Sequence, residues 1–302
     1  MSKIIAVVNQ KGGVGKTTTT VNVGAALAER GFKTLLVDID AQSNLSAHLG
    51  IPSVDDPMTE DLTQTDAESG SADNEAEDTF YPKASIYDVL KGSKNLKEVV
   101  IKRSETLDIV PSSLFLSAAD LELGGVVGRE LILKRALEPI AADYDYVMID
   151  CPPALGLLSL NALAAAEEVI VPVQSEYLAL HGVRQLLDTI DQVRTVYNPE
   201  LKVGGVLICM HDNRKRLARA VADTIRSYFG ELVFTTVIRQ NVSLAEAPAQ
   251  GETIFEYSPK SSGAEDYLKL VGEIIAKQDS LSKSQNSISK GRIHGEAKTG
   301  TC

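Results

Sequence analysis

The chain has no tryptophan, six phenylalanines, nine tyrosines and three cysteines in 302 residues. Three is odd, and Cys151, Cys209 and Cys302 share no metal-ligand spacing. That excludes a disulfide framework and a zinc ribbon, and it predicts a reduced, cytoplasmic chain. Long apolar runs are missing as well. Stretches such as "IIAVV" and "VGGVLICM" fall far short of the roughly 20 residues that a membrane helix needs. The N-terminus reaches Asn9 and Gln10 too soon for a secretory signal. Four histidines, His48, His181, His211 and His294, form no ligand pattern. Positive charge is in deficit, giving a net −11, which at first argues against a nucleic-acid partner. The acid is uneven, however. Residues 53–80 carry ten Asp and Glu and no Lys or Arg, so the rest of the chain is close to neutral and free to present a basic face.

What is present reads as alternating strand and helix. "KIIAVVN", "TLLVDID", "LDIVPS", "YDYVMIDCPP", "EVIVPVQ", "KVGGVLICM" and "LVFTTVI" are near-continuous apolar runs, the mark of strands buried on both faces. A helix is expected over Lys16–Arg30, stopped by Gly31, with periodic helices between most later strands. The fold class is therefore α/β: a doubly wound, mostly parallel sheet with helices on both faces. One domain should span residues 1–277. Residues 53–80 are too poor in large apolar side chains to offset ordering entropy and read as a disordered insertion. Residues 278–302 read as a flexible polar tail.

"NQKGGVGKTTTT" (Asn9–Thr20) follows the first strand and opens the first helix. Its end, Gly15-Lys16-Thr17, matches the phosphate-binding loop G-x-x-x-x-G-K-[ST], but Gln10 stands where the first Gly belongs and an extra Lys11 sits at the front. Glycines here let backbone N–H groups turn in around phosphate oxygens, and the helix N-terminus adds partial positive charge. Residues Lys11, Gly12, Gly13, Val14, Gly15, Lys16, Thr17 and Thr18 are the expected nucleotide cradle. Lys16 should reach the β- and γ-phosphates, and Thr17 should offer its hydroxyl to Mg²⁺. A ligand-free Gly-rich turn is the plainer alternative; two lysines, three glycines and a threonine run in this context outweigh it. Asp150 closes the apolar strand "YVMID", and Asp38 and Asp40 close "LLVDID". Carboxylates at the carboxyl ends of buried strands are where a doubly wound fold places its metal site.

Together "KGGVGKTT", "LLVDIDAQSN", "YVMIDCPPALGLLSLNAL" and "VIVPVQSEYLALHGV" resemble the ParA/Soj chromosome- and plasmid-partitioning ATPases, of the deviant Walker A group that also holds MinD. The resemblance covers about residues 3–277. It implies a slow ATPase using ATP and Mg²⁺, with Thr17, Asp40 and Asp150 around the metal and Lys11, Lys16 and Asp40 as catalytic residues. It implies that Lys11 reaches the nucleotide of the other subunit in an ATP-bound homodimer, and that Gly12 lies where the two loops nearly touch. It implies that Asp40 positions the attacking water, that Asp38 supports the metal site, and that Asp150-Cys151-Pro152-Pro153 senses the γ-phosphate. It also implies non-specific double-stranded DNA, a ParB-type centromere-binding partner that stimulates hydrolysis, no membrane, and a cytoplasmic, nucleoid-associated location.

For DNA the residues themselves offer "DNRKRLARAVADTIRSYFG" (Asp212–Gly230), a probable-length helix placing Arg214, Lys215, Arg216, Arg219 and Arg226 on one side. A solvated charged face is the ordinary reading of such a run; the resemblance favours DNA. One departure stands out. Where the family commonly reads T-V-I-P-R-N-V-R-L-S-E-A-P, this chain reads "TVIRQNVSLAEAP", so the two arginines fall on Gln240 and Ser243 and Arg239 comes one place early. Two rivals remain open: a MinD-like membrane-surface switch, which needs an amphipathic C-terminal helix, and a metabolic ligase on the same fold.

Overall fold

The protein is described from a computed structural model, which covers residues 2–54, 82–176 and 179–295, with backbone alone for 179–181 and 279–295. Nearly all of the acidic insertion expected at 53–80 lies outside the described residues, as do the last residues of the tail, 296–302.

Seven strands form one sheet: β1 (Lys3–Val7), β2 (Thr34–Asp38), β3 (Ile101–Lys102), β4 (Leu107–Val110), β5 (Tyr146–Asp150), β6 (Glu168–Gln174) and β7 (Lys202–Cys209). Their order is β3-β4-β2-β5-β1-β6-β7. Every pairing is parallel except β3 with β4. The longer helices are α1 (Lys16–Glu29), α2 (Leu157–Ala165), α3 (Ala179–Val196), α4 (Arg216–Phe229) and α5 (Ser262–Gly295). The doubly wound, mostly parallel expectation holds.

Strand residues alternate between two apolar layers. Ala6, Val8, Leu35, Val37, Val147 and Ile149 pack with Ala162 and Leu163 of α2, Leu186 and Ile190 of α3, and Val221 and Ile225 of α4. Ile5, Val7, Leu36 and Met148 pack the other way, with Val23, Ala26 and Leu27 of α1 and Tyr267, Leu270 and Val271 of α5. Helices on both faces are why the strands read as unbroken apolar runs rather than as a period of two. α1 stops where Gly31 takes a positive φ of 85°, as Gly after a helix commonly does.

One expected strand does not form. "LVFTTVI" runs beside β7 but makes one isolated bridge with it, Val206 with Val233, and a second bridge, His211 with Arg239, lies just past both. The reason lies in α5. The Glu273 carboxylate accepts the backbone N–H groups of Thr235 (2.9 Å) and Thr236 (2.7 Å) and the Thr236 hydroxyl. Those donors are diverted from a ladder. The Phe234 ring meanwhile lies against Gly205 of β7, where an added Cβ would come within 2.3 Å of the ring. α5 also runs past Lys277, and its backbone stays helical to Gly295, through sequence that composition reads as a loose tail. Ser, Gln and Lys are tolerable helix residues, and a docked helix supplies the costly nucleus. Among the described residues no helix is long and apolar enough to cross a membrane.

Candidate functional site

The glycine-rich loop joins β1 to α1 and is fixed at its start by Asn9. The Asn9 side chain donates to the Pro172 carbonyl of β6 (2.6 Å) and accepts the Lys11 N–H (3.0 Å). Gly13 and Gly15 then take positive φ values of 71° and 93°, a conformation open to glycine. Val14 is buried between them and anchors the turn. α1 starts at Lys16 with no acidic residue in its first turn. Its free N–H groups and its partial positive charge are therefore left for an anion. Lys16 is buried, and its Nζ donates back to the Lys11 carbonyl at 3.2 Å. Burial lowers the Lys16 pKa, opposed chiefly by the charge of Asp150.

Below the loop stand two buried carboxylates. β2 and β5 pair so that Asp38 and Asp150 are register partners at adjacent strand ends. Asp150 accepts the Thr17 hydroxyl at 2.6 Å and the Thr20 hydroxyl at 3.2 Å. Asp38 accepts the Asp40 N–H (3.2 Å), the Ser46 N–H (3.0 Å) and the Ser46 hydroxyl (2.9 Å). Burial, with the Asp38 charge next, pushes the Asp150 carboxyl well above the ordinary range. Burial raises Asp38 too, against its bonds from Ser46. Thr17 and Asp150 supply oxygen ligands only. Among the described residues no cluster of three or more His, Cys, Asp or Glu could cage a metal. A hydroxyl and a carboxylate under a phosphate cradle fit Mg²⁺, which keeps its waters and takes few protein ligands besides phosphate.

Asp40 is close enough for its charge to bear on Asp150 and Lys16, but it bonds neither. Its carboxylate accepts the Gln42 N–H at 3.0 Å, and its carbonyl accepts the Ser112 hydroxyl at 2.6 Å. Lys11 turns the other way from Lys16. Its Nζ lies on the surface, bonded to Gln174 Oε1 (3.1 Å) and ion-paired with Glu176. Beside it Gly12 is exposed, its φ is not in the left-handed region, and a Cβ added there meets nothing within 4 Å. A cavity of about 320 Å³ opens next to this point, lined by Gln174, Glu176, Met210, Asp212, Lys215 and Gln240 among others. The two partners of Lys11, Gln174 and Glu176, and the start of the basic segment, Asp212 and Lys215, thus line one cleft.

The basic segment differs in detail from the expectation. α4 begins at Arg216, so Arg214 and Lys215 precede it rather than riding on it. Asp212 is the cause: its carboxylate accepts the Arg214 N–H at 3.1 Å, which turns the chain just before the helix. The same carboxylate, held down to about 2 by Arg214, grips the guanidinium at 3.0 and 3.2 Å. On α4, Ala218, Val221, Ala222, Ile225 and Phe229 face the core. Arg216, Arg219 and Arg226 are exposed on the far side. Arg219 donates to the Asn213 carbonyl (2.6 Å), and Arg226 lies 3.9 Å from Asp223. Arg239 is no part of this face. It is bound to Asp266 (2.6 Å) and Glu265 (2.7 Å) of α5, and its own N–H donates to Asp266. Gln240 lines the cleft, and Ser243 begins a short helix, Ser243–Glu246.

The structure therefore brings Lys16, Thr17 and Asp150 together, keeps Asp40 one step away, and sets Lys11 and Gly12 outside. Sequence reasoning missed Thr20, Asn9, Gln174 and Glu176. Thr20 was findable, since i, i+3 spacing puts it on the Thr17 face of α1. Gln174 ends β6 and Glu176 follows it, in a stretch that marks the family resemblance without pointing to a partner for Lys11.

A family model described as an AAA domain matches residues 2–203. The chain is similar to the sporulation initiation inhibitor protein Soj of Bacillus subtilis, 44% identical over 91% of this chain and 99% of that protein. It is similar also to the chromosome-partitioning ATPase Soj of Treponema pallidum, 41% identical over 92% and 98%. Among solved structures, the cobyrinic acid a,c-diamide synthase of Mycobacterium smegmatis with bound ADP and magnesium has a TM-score of 0.74, 35% identity and coverage of 93% and 96%. The septum site-determining protein MinD of Pyrococcus horikoshii, complexed with Mg-ADP, has 0.68, 25%, and 91% and 96%.

Proposed function

The chain belongs to the Soj/ParA family of chromosome-partitioning ATPases, and from that premise we propose that it is an ATP-driven switch whose nucleotide-bound form is a dimer that holds DNA. The division of labour within the glycine-rich loop carries this reading. Lys16 is buried with its Nζ on the Lys11 carbonyl and within the field of Asp150, and Thr17 bonds Asp150 directly. Lys11 and Gly12 stand outside, and nothing in the chain's own fold needs a glycine at 12.

In this reading the loop N–H groups and Lys16 bind the β- and γ-phosphates, and Mg²⁺, held by Thr17 and Asp150, neutralises charge on the transferred phosphoryl group. Asp40 swings from the Gln42 N–H to orient the attacking water. Asp38 keeps the Asp40 loop in place through Asp40's own N–H and Ser46. Lys11 leaves Glu176 and reaches the nucleotide of a second copy, where a cation on a triphosphate stabilises the pair. Dimer formation then depends on ATP. With Asp40 parked away from the phosphates, basal hydrolysis is slow, and a ParB-type partner speeds it. The DNA surface is Arg214, Lys215, Arg216, Arg219 and Arg226. The start of α4 supports this, for its first turn has no acid and cations stand where a helix prefers anions.

The test is size exclusion with light scattering on the Asp40→Ala variant, with ATP–Mg²⁺ and then ADP, followed by a salt-titrated DNA shift. A dimer with ATP alone, which alone binds DNA, is expected. A nucleotide-insensitive monomer that ignores DNA would overturn the reading. Rapid turnover with a carboxylic acid substrate would then favour a metabolic ligase; the Mycobacterium smegmatis structure is named as a cobyrinic acid a,c-diamide synthase.

A further inference from the structure

Helix α2 begins without a cap of its own. Gly156 precedes its first turn and has no side chain to lend. The cap comes instead from 37 residues away, where Asp120 Oδ1 accepts the Leu157 N–H at 3.1 Å. Asp120 rides on a short surface helix, Ala119–Glu122. It lies so close that a Cβ on Gly156 would come within 3.2 Å of its other oxygen. One turn further along, buried Asn161 accepts the Leu133 N–H (3.0 Å) and donates to the carbonyls of Arg129 (2.9 Å) and Leu157 (3.0 Å). Two levels of bonding thus pin α2 to the segment 119–133.

The chain between Asp150 and Leu157 is a short loop with two prolines, fixed at both ends. Asp150 and Leu157 are buried, while Pro153 and Ala154 are exposed. One side-chain bond ties the loop to α2, the Ser159 hydroxyl of the helix donating to the Ala154 carbonyl at 2.5 Å. A serine or aspartate at 156 would have capped the helix locally, but it would also have tied the loop's last residue to the helix. Borrowing the cap leaves Gly156 without a side chain and with one backbone tie to α2, its carbonyl accepting the Leu160 N–H at 3.0 Å, so its two dihedrals can absorb a loop movement while Asp120 holds the first N–H of α2 still.

We propose that Asp120 is a positioning residue for the loop 151–156: it holds the far anchor against which that loop moves when it answers the γ-phosphate. The proposal rests on the switch reading above and deepens it. Asp120 touches neither nucleotide nor metal; it acts through the Leu157 N–H.

The experiment compares wild type, Asp120→Ala, Asp120→Asn and Gly156→Ala in the full chain, by melting temperature, ADP affinity, kcat and KM for ATP, and ATP-dependent dimer fraction. Asp120→Ala is expected to lower kcat and the dimer fraction about tenfold, since small misplacements far from the chemistry are costly, with ADP affinity within about twofold. Asp120→Asn, whose amide oxygen can accept the same N–H, should recover most of the loss. Gly156→Ala, which crowds the carboxylate from the other side, should repeat the Ala phenotype. A kcat for Asp120→Ala equal to wild type would overturn the proposal. So would parallel losses of ADP affinity and kcat that Asn does not rescue, because these describe a plain structural brace. A wild-type chain that hydrolyses no ATP would sink the switch reading and this proposal with it. Normal wild-type hydrolysis beside an unaffected Asp120→Ala would sink this proposal alone.

Discussion

Two helices, α1 and α4, start alike. Neither has an acidic residue in its first turn, and each begins at a cation, Lys16 or Arg216. That is the unfavourable arrangement for an isolated helix, whose N-terminus already carries partial positive charge. Their surroundings differ. Lys16 is buried, bonded to the loop carbonyl and flanked by the Thr17–Asp150 pair. Arg216 and its neighbours are exposed and meet only local partners such as Asp212, Asn213 and Asp223. The first start is shaped for one anion in one pose. The second offers diffuse charge, which suits a repeating backbone of phosphates read without sequence.

The sharpest way to break this comparison is Lys16→Ala. A buried, pre-aimed cation on a transferred phosphoryl group is worth on the order of a hundredfold or more in rate, and phosphate release should fall by that much while the fold survives. Gly12→Val comes next. Nothing within 4 Å opposes a Cβ there, so melting temperature and ADP binding should match wild type while the ATP-dependent dimer is lost by light scattering. A valine chain that still dimerises would mean the two loops do not approach. On the α4 side effects should be smaller and additive. Arg216→Ala should weaken DNA binding several-fold and reduce the salt slope by about one unit. Arg239→Ala is the control. It leaves the buried Asp266 short of its main partner, so it should cost about 1–3 kcal/mol in a denaturant melt and leave DNA affinity unmoved.

A further effect is on pH dependence, and it has two signs. His48 is buried, its Nε2 has no hydrogen-bond partner among the described residues, and burial pushes its pKa from 6.5 down to about 4, against the Glu252 backbone and the charge of Glu256. A neutral buried base contributes stability that is present above 6.5 and lost as pH falls from there toward 4, at most about 3 kcal/mol. Asp38 and Asp150 act oppositely. Their raised pKa values mean that the metal-free fold is favoured at low pH, below their unfolded value of 3.8, and loses that advantage as pH rises through neutrality. The windows overlap between about 4 and 6.5, where two carboxyls outweigh one imidazole, so melting temperature without metal should fall as pH rises from about 4, most steeply between about 6.5 and 8. Mg²⁺ with ATP should remove the alkaline decline. An alkaline limb insensitive to Mg²⁺ would take Asp150 away from the metal.

Much of the α1 half was legible in the sequence because its signals are local. The spacing from Gly12 to Thr17, the glycines at positive φ and each strand-end carboxylate can be read from a window of a few residues. Register then brings Asp38 and Asp150 side by side, as adjacency in a parallel sheet dictates. The partners of Lys11, by contrast, lie about 165 residues away, and no pattern near Lys11 names them. The strand expected at "LVFTTVI" failed for a similar reason: its apolar run is real, but a carboxylate on α5 took its donors. Arg239 looked like a displaced surface arginine and is instead a strut, because Asp266 waits for it across sequence space.

That same capture by Glu273 has a consequence for assembly. A parallel sheet ends in two rims of unpaired backbone, each an invitation to a foreign strand. Here one rim is β3, two residues long, and the other is screened by a segment whose N–H groups are already spent. Polymerisation by strand addition is closed off at both rims. Association of copies of this chain is thereby left to side-chain surfaces rather than to shared backbone.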